Sequence, residues 1–218
     1  MKIALYQFTP LRGDIAGNLE KIERTIHPYT DIDLWILPEL ATTGYLFESR
    51  ETLLSLAESF PGGRTGKWLG SLSRNQNTAI VIGVAEKAGN RLLNSAVVYS
   101  AGEQVSVYRK IHLFDNEKRL FDAGAQPPPV VEIGGVHVGV MICFDWIFPE
   151  LTRSLALSGA QLIAHPSNLV LPYCPDAMIT RSIENRIFTA TANRTGRENT
   201  QDGRVLNFII QIIDAFFI

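Results

Sequence analysis

The sequence predicts an α/β fold, a mixed sheet with helices outside it. Three observations carry this reading. Apolar residues recur at strand-like and helix-like periods in turn along the chain. Two hairpins, about Ala101-Gly102 and Gly134-Gly135, fall in its middle and supply antiparallel pairs. Strand–helix–strand units before and after them supply parallel pairs.

Taken in order, residues 2–8 alternate and are β-prone, a first strand. Residues 14–28 carry Ile15, Leu19, Ile22 and Ile26 at helical spacing, an amphipathic helix that stops at Pro28. Residues 33–38 form a short apolar run suited to a buried strand, with Glu39 at its end and a loop behind it. Residues 50–59 and 64–74 read as helices parted by Pro61-Gly62-Gly63. Residues 78–85 read as a strand, and 91–100 with 103–111 as the first hairpin. Pro127 to Pro129 break the chain before the second hairpin, residues 130–143. A helix over 149–158 follows, with Pro149 early, where its missing N–H costs least. A strand over 161–165, a helix over 175–186 and a strand over 188–193 complete the pattern. Strands apolar on both faces would be buried by stacking two sheets.

Composition narrows the function. The 218 residues are 46 % hydrophobic and show no linker, so residues 1–218 read as one domain with a sizeable core. A net charge of −2 with scattered basic residues gives no nucleic-acid surface. No apolar stretch is long enough to span a bilayer, and the N-terminus lacks the features of a signal peptide. Two cysteines make no disulfide framework, which fits a cytoplasmic location. The four histidines and two cysteines show no metal-ligand spacing, and no cofactor is expected.

The chemistry centres on Cys143. It ends the apolar run Val-His-Val-Gly-Val-Met-Ile-Cys, and Phe-Asp-Trp-Ile-Phe-Pro-Glu turns the chain behind it. A strand fixes such a thiol, and the turn frees backbone N–H groups for a developing oxyanion. The alternative is a core cysteine packed as a small hydrophobe. Glu39 and Lys110 stand at strand ends and Glu117 in a polar turn, positions where charges are otherwise solvated. Should these strand ends converge, a carboxylate could take the thiol proton, and an ammonium would favour the thiolate and an oxyanion.

Leu-Pro-Glu-Leu around Glu39, Tyr-Arg-Lys-Ile-His-Leu-Phe around Lys110 and Val-Gly-Val-Met-Ile-Cys-Phe-Asp-Trp around Cys143 resemble, in order and spacing, the three motif blocks of the nitrilase superfamily of carbon–nitrogen hydrolases. The likeness runs from residue 2 to about residue 194 and is greatest to small archaeal and bacterial nitrilases and aliphatic amidases. It implies a four-layer αββα sandwich, a Glu-Lys-Cys triad without metal or organic cofactor, and protomers that pair as homodimers or higher oligomers through helices near the cysteine. Cys143 would attack a nitrile or amide carbon, and Glu39 would act as base on the thiol and then on water. Lys110 and the backbone N–H of Phe144 would stabilise the tetrahedral intermediate, while Glu117 would orient the lysine and substrate. Ammonia would leave, and water would hydrolyse a thioester.

Tyr45 and Asn168 are candidate substrate-wall residues; packing and turn capping are their alternatives. A Cys–His dyad with His112, His137 or His165 is a further option, although the ordinary reading of each histidine is structural. Cys174, between prolines, is read as incidental. The apolar end, Leu-Asn-Phe-Ile-Ile-Gln-Ile-Ile-Asp-Ala-Phe-Phe-Ile, departs from the family pattern and reads as part of an incomplete C-terminal region. The expected reaction is hydrolysis of a small nitrile or aliphatic amide. Carbamoyl-amide hydrolysis on the same fold, or a catalytically silent or acyl-transfer interaction module, is the alternative.

Overall fold

The computed structural model describes residues 1–199 and 205–207. Its elements run β1 (Ile3–Leu5), α1 (Ile15–Ile26), β2 (Leu34–Ile36), α2 (Arg50–Leu56), α3 (Arg64–Asn75), β3 (Ala79–Ala88), β4 (Arg91–Ser100), β5 (Glu103–Arg109), α4 (Glu117–Leu120), β6 (Val130–Ile133) and β7 (Val136–Val140). A 3₁₀ turn (Cys143–Ile147) then leads to α5 (Pro149–Leu157), β8 (Leu162–Ser167), α6 (Cys174–Asn185), β9 (Phe188–Asn193), β10 (Arg197–Asn199) and β11 (Val205–Asn207).

Two mixed sheets result. In the first, β1, β2 and β3 are parallel, and β4 and β5 extend the sheet as an antiparallel meander. In the second, β6 and β7 form a hairpin to which β8 and β9 add in parallel. Strand alternation decides how the sheets stack. Leu34, Ile36, Val81 and Val98 point into a core shared with Val138, Val140, Leu162 and Ala164 of the second sheet. Trp35, Ile80, Ile82 and Val97 point the other way, against Ile22 and Ile26 of α1 and Leu69 and Leu72 of α3. Leu151 and Leu155 of α5 and Met178 of α6 close the far side. The layers are therefore helix, sheet, sheet, helix, the αββα sandwich. Each fully buried valine or isoleucine contributes about 1.5–3 kcal/mol over exposure. This is why β2, only three residues long and buried throughout, can hold its place between β1 and β3 in the first sheet.

Local signals explain the helix ends. The Asp14 side chain accepts from Gly17 N at 2.9 Å and starts α1. Ser49 accepts from Thr52 N at 3.2 Å and starts α2. The predicted helix over 50–59 stops at Leu56 because Glu58 leaves it for the sheet. Glu58 N donates to Ala85 O at 3.1 Å and Glu58 O accepts from Lys87 N at 2.8 Å, using backbone that β3 offers beyond its pairing with β2. The second hairpin ends at Val140 rather than at residue 143, since Cys143 already belongs to the turn. The polar turn at Glu117 is a short helix, α4, which the sequence reading did not foresee, and neither did it foresee the β10–β11 ribbon. The apolar stretch from residue 208 onward lies outside the described residues.

Candidate active site

Glu39 follows β2 by three residues. Gly83 N donates to Pro38 O at 3.0 Å and Ala41 N to Gly83 O at 2.9 Å, so the backbone on either side of Glu39 is tied to β3. A Cβ on Gly83 would lie 2.3 Å from Glu39 Cα, hence glycine is required for this approach. Lys110 continues β5 by one residue, its N donating to Asn94 O at 2.9 Å. Both side chains are fully buried.

Lys110 Nζ reaches Glu39 Oε1 at 2.7 Å and Glu117 Oε1 and Oε2 at 3.0 and 2.9 Å. Glu117 opens α4, where Phe114 N donates to its Oε2 at 3.0 Å and the Tyr45 hydroxyl to its Oε1 at 2.9 Å. Glu39 Oε1 also accepts from Asn94 Nδ2 at 2.7 Å. Its second oxygen, Oε2, is buried with no hydrogen-bond partner. A carboxylate oxygen left open in a dry site is costly, and it is where a proton can land.

Cys143 is buried and holds φ at +40°, left-handed territory that a residue with a Cβ enters at a cost of about 1–3 kcal/mol. Its thiol donates to Asn168 O at 3.6 Å, while its own carbonyl lies 2.9 Å from His165 Nε2. Asn168 also donates through Nδ2 to Glu39 O at 3.0 Å. One residue after β8 thus touches both the cysteine and the backbone of the glutamate.

Electrostatics refine the picture. Burial pushes Glu39 up to about 7, with the Lys110 charge opposing and Glu117 adding to the shift. Burial works against the Lys110 charge, but Glu117 and Glu39 outweigh it and hold the ammonium above its ordinary range. The Cys143 thiol is pushed well up by burial and by Glu39, and Lys110 only partly offsets this. Lys110 favours the thiolate, as the sequence reading expected, but desolvation outweighs it and holds the sulfur toward the thiol form. Burial and the two carboxylates likewise keep the Tyr45 phenol protonated as a donor. Burial lowers His165 to about 4, so it props the Cys143 carbonyl as a neutral imidazole.

Glu39, Lys110, Glu117, Tyr45 and Asn168 therefore meet around one cluster whose charges act on Cys143. Phe144 borders the cysteine side of the site together with Asn168, and its ring lies 4.9 Å from the Phe114 ring and 5.7 Å from that of Phe148. A cavity of about 220 Å³ opens beside Tyr45, Phe47, Phe114, Glu117, Leu120 and Leu206. A hollow of about 10 Å³ lies against Cys143, Trp146 and Asn168, and Phe114 borders both. His112 and His165 engage Asp145 and the Cys143 carbonyl rather than the sulfur, and His137 is exposed on β7. Cys174 is buried among apolar side chains. Among the described residues, no group of three or more His, Cys, Asp or Glu could hold a metal ion, and no helix is long and apolar enough to cross a membrane.

Sequence reasoning missed Asn94, Asp145 and Glu198. Asn94 carried a usable signal, an amide inside the largely apolar strand Leu-Leu-Asn-Ser-Ala-Val-Val. Glu198 accepts from Tyr45 N and Leu46 N at 3.2 and 3.1 Å and pairs with the buried Arg194, which fixes the Tyr45 loop from 153 positions away. No local pattern announces such a contact.

Comparison with known proteins shows the family. Residues 2–207 match the family described as carbon-nitrogen hydrolase. A nitrilase of Pyrococcus abyssi is 46 % identical over 200 residues, covering 91 % of this chain and 76 % of its own. An (R)-stereoselective amidase of a Pseudomonas species is 33 % identical over 220 residues, covering 99 % and 78 %. An amidase of Nesterenkonia sp. AN1, solved with acrylamide added to its active site cysteine, superposes with a TM-score of 0.77 at 29 % identity, covering 90 % of this chain and 79 % of that one.

Proposed function

The chain belongs to the carbon–nitrogen hydrolase family, and from that premise we propose that it hydrolyses a small nitrile or aliphatic amide through a thioester on Cys143. The observation that carries this reading is the buried meeting of Glu39, Lys110 and Glu117, with Glu39 Oε2 left open. The thiol gives its proton to Glu39 as the sulfur bonds to the substrate carbon. Negative charge then collects on the former carbonyl oxygen or nitrile nitrogen, where the Lys110 ammonium and the Phe144 N–H stabilise it. With an amide, the proton returns from Glu39 to the leaving nitrogen, the C–N bond breaks, and ammonia departs from an acyl thioester. With a nitrile, a first water adds before ammonia departs. Glu39 next draws a proton from water, the oxygen bonds to the acyl carbon, and the sulfur leaves with that proton as a thiol.

Lys110 keeps both carboxylates in the dry site: with Glu39 protonated, Lys110 and Glu117 cancel, and each ionisation of Glu39 adds one buried charge. Tyr45 and Asn168 hold Glu117 and the Glu39 backbone in register and border the substrate space. We assign the protein to the cytoplasm, a reading supported by two free, buried cysteines. Homo-oligomers form through α5 and α6, whose Leu157 and Ile183 are 80 % and 51 % exposed.

A panel of nitriles, amides and carbamoyl compounds with ammonia detection, joined to intact-protein mass spectrometry, tests the chemistry. Ammonia together with an acyl mass adduct that Cys143→Ala abolishes is the expected result. Turnover surviving in Cys143→Ala would refute the assignment.

A further inference from the structure

Asp145 lies two residues past the cysteine, is fully buried, and has no part in the steps above. Its contacts set it apart. Oδ2 accepts from Ile142 N at 2.9 Å, and Asp145 N donates back to Ile142 O at 3.0 Å. The residue before Cys143 is thereby held through both of its backbone polar groups. Oδ2 also accepts from the Tyr108 hydroxyl at 2.9 Å, and Oδ1 meets His112 Nδ1 at 2.7 Å. Tyr108 and His112 stand two residues before and two residues after Lys110. The His112 ring stacks on Phe148, just past the cysteine turn, at 3.7 Å and 14°, and the Tyr108 hydroxyl further accepts from Ile111 N at 3.3 Å.

We propose that Asp145 is a positioning residue that locks the turn of Cys143 to the segment bearing Lys110, with Tyr108 and His112 as its two struts. The two segments come from different sheets, one following β5 and the other following β7. Packing between sheets is non-directional and sets distance only loosely, whereas hydrogen bonds to one carboxylate fix both distance and angle. Cys143 needs such a fixture because its left-handed backbone would otherwise relax. Asp145 itself carries no proton in the reaction, since both of its oxygens are already engaged.

The inference rests on Cys143 being the nucleophile and Lys110 its electrostatic partner. Two readouts are therefore taken together: steady-state ammonia release, and the rate at which iodoacetamide labels Cys143, which needs no substrate. Asp145→Ala lowers kcat by about 100-fold with KM within about twofold, because a misplacement on the order of 1 Å costs about that much. Labelling slows in parallel. Asp145→Asn, which can still accept from Ile142 and Tyr108 and can donate to a neutral His112, recovers kcat to within about tenfold of the parent. Tyr108→Phe and His112→Ala each remove one strut and lower kcat by about three- to tenfold, the size of one hydrogen bond. They combine less than additively.

The proposal is overturned if folded Asp145→Ala keeps kcat and labelling within twofold of the parent, if the loss falls on KM, or if Asn recovers nothing. Should Asp145→Ala fail to fold, Tyr108→Phe and His112→Ala decide, and parental kcat in both would overturn it. Cys143→Ala separates the two ideas: turnover surviving there defeats the nucleophile assignment, whereas its loss alongside indifferent Asp145 variants defeats only the positioning role.

Discussion

Arg109 and Lys110 are neighbours in the chain, yet their side chains leave on opposite faces and enter two very different polar clusters. Arg109 forks onto Glu86, with Nε to Oε2 at 2.8 Å and Nη2 to Oε1 at 2.6 Å, and the Ser95 hydroxyl adds a bond to Oε2 at 2.6 Å. Both oxygens of Glu86 are satisfied. Lys110 meets two carboxylates rather than one, and Glu39 Oε2 is left without a partner. One strand end therefore carries a saturated pair, and the next residue carries an unsaturated one. A saturated pair has nothing left to give a substrate; an unsaturated, buried one holds a free basic site at the cost of stability.

Paired substitutions at the two clusters test that contrast, beginning with the largest effect. Glu39→Gln lowers kcat by about 100- to 10,000-fold, the usual range for a lost general base, and melts no lower than the parent at pH 8. The matched Glu86→Gln leaves kcat within about threefold but lowers Tm by about 2–8 °C, as expected for a weakened buried bond in a chain of this size. Circular dichroism melts alongside ammonia assays read both; equal behaviour of the two variants would erase the distinction.

Lys110→Met comes next. It removes the ammonium that pairs with two buried carboxylates and, on the proposed mechanism, the stabiliser of the oxyanion, and kcat falls by about 100- to 1,000-fold. Arg109→Met, one residue away, acts on melting temperature and leaves the pH profile of kcat unchanged.

A pH profile sharpens the comparison further. Glu39 is raised to about 7, so it carries a proton below that pH and is the free base above it. Activity therefore climbs about tenfold per pH unit up to about 7 and then levels off. Stability runs the opposite way. The unfolded chain loses this proton near its ordinary value of 4.5 and the folded chain only near 7, so folding weakens as pH rises between the two and is flat above. Urea titrations at pH 5 and pH 8 check the sign, and Glu39→Gln flattens both curves.

The smallest effects come from the hydroxyl donors. Tyr45→Phe deprives Glu117 of one bond and lowers kcat about fivefold, the worth of roughly 1 kcal/mol. Ser95→Ala deprives Glu86 of its hydroxyl and lowers Tm without touching kcat. A loss of kcat in Ser95→Ala would mean the two clusters are coupled through β4.

The fold was largely legible because it follows from periodicity. Alternation in β3, where Ile80 and Ile82 face α1 and α3 while Val81 faces the second sheet, is written in single residues. Ser49 and Asp14 mark helix starts by side-chain chemistry alone. What escaped depends on partners far along the chain: α2 ends early because Glu58 finds free backbone on β3, and Tyr45 is held by Glu198. In the site, Glu39 and Lys110 could be picked out as charges at strand ends, Glu117 as a charge in a polar turn and Cys143 as a thiol closing an apolar run. The protonation state of Cys143 could not, since it depends on how completely the sandwich excludes water.

Cys143 also leaves a mark unrelated to its sulfur. Glycine is the residue that enters φ of +40° at least cost, because a hydrogen in place of Cβ relieves the crowding. That this protein keeps a full side chain there places the proposed nucleophile on a bent spring of main chain.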